Sequence, residues 1–323
     1  MHRLIDKLWY RSHPLRWLLW PFAMVYQVLT TLRCCYLQRY SQQHVSVPVI
    51  VVGNLTVGGV GKTPLVIALA RQFQEQGLRV GIVSRGYGAR VRVFPHEVQK
   101  DEGAHWVGDE PLLLAKKTGC PVVIAPKRNL AVQYLIEKHQ SQLIISDDGL
   151  QHYSMGRAIE IVVIDGVRGL GNGLCLPAGP LREGVARLNR TDFIVVNGGE
   201  WPRAFRMDLV PGALTQLITG QATQLTALKS PIAAVAAIGN PQRFFALLKA
   251  MGMVFKAYPF ADHHCFQKDE LLGLEKTVVM TEKDAVKCES FATEAMYFLP
   301  VEAHLSDKFW DALMTHQQLQ GLK

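Results

Sequence analysis

Lys62 and Thr63 close a glycine-rich run, Gly53-Asn54-Leu55-Thr56-Val57-Gly58-Gly59-Val60-Gly61-Lys62-Thr63-Pro64. These residue types in this order make a phosphate cradle. Glycines let backbone N–H groups converge on phosphate oxygens, the lysine reaches the β/γ-phosphates, and the following hydroxyl can ligate Mg²⁺. The context fits. Val47–Val52 is a short β-branched run that reads as a buried strand, and Leu65, Leu69 and Phe73 fall at helical spacing before the stop at Gly77. The alternative is a glycine-rich strand-to-helix turn that binds nothing. Thr56 stands where the first glycine of the usual pattern would be, so the loop is a variant. On this reading Thr56, Gly58, Gly59, Val60, Gly61, Lys62 and Thr63 meet the nucleotide, and Thr63 also meets the metal.

Mg²⁺ beside such a loop needs a further acid, normally one that closes a hydrophobic strand. Asp147-Asp148 follows Leu143-Ile144-Ile145-Ser146 and fits, with a plain Asx turn as the alternative. One of the two would meet the ion, directly or through water. Asp109-Glu110-Pro111 opens a helix, where acids serve as caps and dipole partners or, functionally, as a base for an accepting hydroxyl. Asp262-His263-His264 reads as a polar loop, an acid–base histidine or a metal pair; with no further ligand cluster nearby, metal is the weakest of the three. Thr281-x-x-Asp284 matches a helix capping box. Arg128 and Arg182 lie in loops after apolar elements, as phosphate clamps or as ordinary surface arginines.

The elements that must position these groups follow from pattern. Apolar runs at 79–84, 121–125, 142–146, 160–165 and 192–196 alternate with helical segments, which implies a doubly wound, mostly parallel sheet. Ligands bind such sheets at the carboxyl ends of the strands. Residues 171–183 are too rich in glycine and proline for a regular element. A second α/β unit begins near Ile232. The expected division is 1–40 as a basic membrane-associated helix, 41–205 as the nucleotide-binding and catalytic domain, 206–228 as a connection, and 229–323 as a smaller α/β domain.

Composition narrows the class. The chain has 323 residues, 49% hydrophobic and 19% charged, with a formal charge of +8. Much of the excess sits at the start, where Arg3, Lys7, Arg11, Arg16, Arg33 and Arg39 face Asp6 alone. That is no nucleic-acid-sized face, and no nucleic-acid partner is expected. The six cysteines form no C-x-x-C pair, which argues against zinc and disulfide frameworks and for a reducing compartment. Between Arg16 and Arg33 lie 16 uncharged residues, fewer than the roughly 20 that cross a bilayer. No small-residue cleavage site follows, against a removed signal peptide. Trp9, Trp17, Trp20, Tyr26 and Tyr36 with flanking arginines suit a headgroup region, so the segment reads as a helix in, or dipping into, an anionic membrane face. The alternative is an ordinary buried first helix.

Taken together, the segments resemble the tetraacyldisaccharide 4′-kinase family, which phosphorylates the lipid A precursor. The resemblance rests on Gly58–Pro64, Ser84-Arg85-Gly86-Tyr87-Gly88, Gly108–Pro111, Asp147-Asp148-Gly149-Leu150-Gln151-His152, Pro177–Glu183, Phe260–His264 and Thr281–Lys287, in order along the chain. It implies a P-loop NTPase-like fold with a second smaller α/β domain and a membrane-associated N-terminal helix. It further implies ATP- and Mg²⁺-dependent transfer of the γ-phosphoryl to the 4′-hydroxyl of a tetraacylated glucosamine disaccharide 1-phosphate. Carried over residue by residue, Asp109 is the base in a dyad with His263, Lys62, Arg128 and Arg182 steady phosphate charge, and Glu110, Asp147 and Asp148 serve Mg²⁺. Tyr87, Gln151, His152 and Glu183 are expected to contact substrate. The expected setting is the cytoplasmic face of a bacterial inner membrane, as a monomer. A membrane-recruited partitioning-type switch ATPase is the rival, but that group has a lysine at the place of Val57 and its membrane segment is usually C-terminal. A nucleotide-dependent metallochaperone would need cysteines beside Asp262-His263-His264.

Overall fold

The computed structural model describes residues 2–11, 13–43 and 45–321. Two helices come first, α1 (His2–Tyr10) and α2 (Leu15–Tyr40). A core helix buries an apolar stripe. Along α2 Ala23 alone is buried, while Trp17, Leu18, Phe22, Val25, Leu29 and Leu32 are all more than half exposed. The reading of this segment as an ordinary buried helix therefore fails. Its 26 residues reach about 39 Å at the α-helical rise.

Then come β1 (Val49–Gly53), α3 (Lys62–Glu75), β2 (Val80–Ser84), β3 (His96–Glu97), α4 (Ala104–Val107), α5 (Asp109–Thr118) and β4 (Val122–Ile124). They are followed by α6 (Arg128–His139), β5 (Leu143–Asp147), β6 (Ile159–Asp165), β7 (Phe193–Asn197) and β8 (Phe205–Pro211). The second unit holds β9 (Thr215–Gln216), β10 (Ile232–Ala236), α7 (Pro241–Ala250), β11 (Lys256–Pro259), α8 (Lys268–Leu272), β12 (Thr277–Thr281), α9 (Glu282–Cys288) and β13 (Met296–Leu299). The described chain closes with β14 (Val301–Leu305) and α10 (Asp307–Met314).

The larger sheet runs β14-β8-β7-β6-β1-β5-β2-β4-β3. It is parallel from β8 to β4 and antiparallel at its two edges. Its central strands are Val- and Ile-rich and buried along their length, as strands covered on both faces must be. The smaller sheet runs β11-β10-β12-β13-β9, with only the β13–β9 pair antiparallel. A doubly wound sheet with a second α/β unit is what the sequence pattern implied. The course of the chain between them is less simple. Residues 206–211, expected in a connection, lie in β8 of the larger sheet. After β13 a single residue, Pro300, leads into β14, which pairs with β8, and Phe309 and Leu313 of α10 pack in the core beside Phe193 and Val195. The chain thus crosses between the sheets twice.

Candidate active site

β1 lies between β5 and β6, where the winding direction reverses, and its carboxyl end opens a crevice. The loop that leaves it is shaped by backbone freedom and by one asparagine. Gly58 and Gly61 have φ of 112° and 95°, a region open to glycine and strained for other residues. A Cβ at Gly61 would also sit 2.3 Å from Asn197 Nδ2. Buried Asn54 donates to the Thr56 carbonyl at 2.7 Å, and its Oδ1 accepts from Lys62 Nζ at 3.1 Å. The glycine- and proline-rich run props the loop from outside: Val57 N donates to the Pro180 carbonyl at 2.8 Å and Arg182 N to the Leu55 carbonyl at 2.7 Å. Thr56 forms an isolated bridge with Leu181, so the variant position has a structural partner.

Acids and bases converge beside this loop. Asp147 ends β5 and is buried, and neither of its carboxylate oxygens has a hydrogen-bond partner. Burial, then the nearby charge of Glu110, pushes its pKa up. A buried carboxylate without partners calls for a cation. Asp148 has left-handed backbone, φ 47°, and faces Lys62 Nζ at 3.4 Å and Arg182 Nη1 at 3.2 Å. Burial would raise its pKa, but those two cations outweigh it and hold it at about 2. Arg128 is buried and its Nη2 donates to the carbonyls of Asp147 and Asp148 at 3.4 and 3.1 Å, holding the strand exit. Among the described residues no group of three His, Cys, Asp or Glu could hold a metal alone. That suits Mg²⁺, which keeps waters and phosphate oxygens and takes only one or two protein carboxylates. Asp147, Asp148 and the Thr63 hydroxyl are donors of the right chemistry.

The second unit reaches into the same region. His263, with φ 59°, puts Nδ1 at 3.0 and 3.1 Å from the Asp109 oxygens at the start of α5. Lys283 Nζ lies 2.8 Å from Glu110 Oε1, 3.8 Å from Asp109 Oδ2 and 3.6 Å from Asp262 Oδ1. Burial works to raise the Asp109 pKa, but the His263 hydrogen bond and the Lys283 charge bring it down to about 2. The same hydrogen bond raises His263. The Tyr87 ring sits 4.9 Å from the His263 ring.

A cleft of about 890 Å³ joins these groups. The phosphate loop, Arg128, Asp148, Gln151, Arg182, Glu183, Tyr87, Glu110, His263 and Lys283 line it, and so do Tyr26, Thr30 and Arg33 of α2. Asp109 is buried and does not line it, while His263 does, so the imidazole is the open member of that pair. Gln151 accepts from Arg182 Nη1 at 3.4 Å. His152 does not reach the cleft lining; its Nε2 accepts from Arg128 N at 3.3 Å, and burial with the neighbouring arginines lowers it to about 4. Glu183 is held by the Tyr153 hydroxyl and by Arg187. Thr281 caps α9 and binds Asp284, as its spacing implied.

Lys283, Asn54 and Asn197 were not singled out from sequence. A signal existed for each. Lys283 is the second residue of α9, where a cation opposes the helix dipole and so must serve something else. Asn54 follows the last residue of β1 and Asn197 ends β7, both at the carboxyl edge of the sheet, where ligand sites form.

Comparison with known proteins agrees with this geometry. A family model described as LpxK, tetraacyldisaccharide-1-P 4′-kinase, matches residues 15–318. A tetraacyldisaccharide 4′-kinase of Legionella pneumophila (strain Lens) is 54% identical, over 99% of both chains. One from Aeromonas hydrophila is 44% identical over 96% of this chain and 95% of its own. The crystal structure of LpxK from Aquifex aeolicus in complex with ATP matches with a TM-score of 0.77 at 26% identity, over 94% of this chain and 99% of that one. The chain belongs to the tetraacyldisaccharide 4′-kinase family.

Proposed function

We infer that this chain transfers the γ-phosphoryl of ATP to the 4′-hydroxyl of a tetraacylated glucosamine disaccharide 1-phosphate, in lipid A biosynthesis. The observation that carries the reading is a proton-accepting pair, Asp109 and His263, beside the cleft that the phosphate loop lines. A switch ATPase has no need of a second unit that brings a histidine and a lysine to the loop's neighbourhood. The lysine at the place of Val57 that marks the partitioning group is also missing.

Phosphoryl transfer asks for positioning and charge neutralisation more than covalent chemistry. The loop amides and Lys62 hold the phosphates, and Arg182 and Arg128, both lining the cleft, supply further positive charge. Asp147, Asp148 and Thr63 would hold Mg²⁺, with Glu110 beside them, and the bound ion would supply charge to offset the phosphates. The Asp109–His263 dyad takes the hydroxyl proton as the sugar oxygen attacks, and Lys283 keeps Asp109 ionised. Tyr87, Gln151 and Glu183 line the cleft where the disaccharide would lie, while His152 supports Arg128 from behind. The exposed apolar surface of α2 and its arginines suit the cytoplasmic face of the inner membrane, where an acylated acceptor is met without leaving the bilayer.

The test is label transfer from radiolabelled ATP in detergent micelles containing the acceptor. Label should move into the lipid phase with Mg²⁺ and stay in ATP when Mg²⁺ is chelated. Release of labelled phosphate into water at the same rate with or without acceptor would contradict the reading.

A further inference from the structure

Asn197 ends β7 and is completely buried. Its Nδ2 donates to the carbonyl of Val60, inside the phosphate loop, at 2.8 Å. Its Oδ1 and its own carbonyl both accept from Arg243 Nη2, each at 2.8 Å. Arg243 lies on α7, in the other α/β unit, and its second nitrogen lies 3.5 Å from buried Asp165 at the end of β6. The two units also touch through backbone. A Cβ on Gly239 would fall 2.3 Å from Gly59 N, so only glycine fits between that loop and the phosphate loop.

We propose that Arg243 is a positioning residue for the phosphate loop, fixing the Val60–Gly61 turn from the second unit through Asn197. The physical case has three parts. An amide has one donor end and one acceptor end here, and the two ends are committed to different partners, the loop and the arginine. Rotating the amide to free either end strands a buried polar group, so the three residues move as one. The arginine contributes a charge-assisted bond and a planar fork, which fixes orientation more tightly than a lysine could. Since, among the described residues, the chain passes between the units only at residues 212–214 and at Pro300, this relay is one of the contacts that hold the second unit against the nucleotide site. Loss of Arg243 should loosen the loop that grips phosphate and leave the acceptor side untouched.

The proposal rests on the loop being the ATP site, and the test separates the two. MgATP binding to the full-length protein in detergent micelles is measured by calorimetry, with kcat and both KM values, for Arg243→Ala, Arg243→Lys, Asn197→Ser and the double variant Arg243→Ala/Asn197→Ser. Arg243→Ala should weaken ATP binding and raise its KM by about tenfold, the loss of one charge-assisted hydrogen bond. The acceptor KM and kcat at saturation should stay near wild type, and Arg243→Lys should recover part of the loss. Asn197→Ser should weaken ATP binding similarly, with the double variant little worse than either single one. Unchanged ATP affinity in Arg243→Ala would overturn the proposal. So would multiplying effects in the double variant, which would mean that Arg243 meets the nucleotide itself. If Asn197→Ser does not fold by circular dichroism, Asn197→Asp replaces it, keeping the acceptor for Arg243 and losing the donor to the Val60 carbonyl, and unchanged ATP affinity there counts against the relay. A wild-type protein that binds no ATP defeats the kinase reading and not the relay alone.

Discussion

Replacing Asp109 with asparagine removes a charge and nearly preserves shape. The amide oxygen can still accept from His263 Nδ1, now 3.0 Å from the carboxylate, so the imidazole keeps its place. Lys283 keeps Glu110 at 2.8 Å and Asp262 at 3.6 Å, and is not left as a lone buried cation. What disappears is the charge that, in the proposed dyad, lets His263 draw off the acceptor's proton. Loss of a positioned general base costs about 10²–10⁴ in rate, or ~3–5 kcal/mol of barrier. Stability changes less. The Asp109 carboxyl is held at about 2 against an ordinary 3.8. That difference corresponds to about 2 kcal/mol at neutral pH, an order-of-magnitude figure. Because the folded value is depressed, this stability is present above the ordinary carboxylate range and is lost as pH falls through about 2. The expected result is therefore a folded protein melting a few degrees lower, with ATP KM little changed and kcat down at least about a hundredfold. The assay is steady-state transfer at saturating acceptor with calorimetric ATP binding beside it. A variant with kcat within about threefold of wild type would refute the reasoning.

Three further outcomes follow from the same geometry. His263 is raised by its bond to Asp109, so the tie contributes stability that is full below the ordinary histidine value and is lost as pH rises through the folded value. The melting-temperature gap between wild type and His263→Ala should narrow from about pH 6 to about pH 9; a gap that widens would reverse the assignment. Asp147 is raised by burial, so the metal-free folded state is penalised at alkaline pH. Asp147→Asn should melt higher than wild type at about pH 8 without Mg²⁺, by roughly 1–3 °C, and need more Mg²⁺ for activity; lower melting would show that the carboxylate has partners. Deleting residues 1–35 should abolish sedimentation with anionic vesicles, and unchanged sedimentation would place membrane contact elsewhere.

The phosphate loop was legible because its local chemistry is redundant: a β-branched strand, glycines at strained backbone positions and a helix follow one another within 27 residues, 49–75. The Asp147-Asp148 exit was legible for the same reason. The Asp109–His263 pair was not, because it spans 154 positions. Seen locally, one is a helix cap and the other a polar loop, and only the family resemblance joined them before the fold did. Lys283 was hidden inside a capping box that reads as complete without it, its partner Glu110 lying 173 positions away. The crossing of β14 into the larger sheet was missed because β8 and β14 form its edge. Their mixed polar patterns carry little of the buried-strand signal that marks β1 or β5. The exposure of α2 was legible from its arginines and tryptophans, since no core would cover them.

The most direct measurement is the identity of the product. Purified protein is incubated with MgATP and the tetraacyldisaccharide 1-phosphate, and the lipid is examined by mass spectrometry and phosphorus NMR. The expected product carries one added phosphate, at the 4′ position, and does not form with Asp109→Asn over the same time. ADP accumulating while the lipid remains a monophosphate would contradict the central claim and return the chain to the switch ATPases.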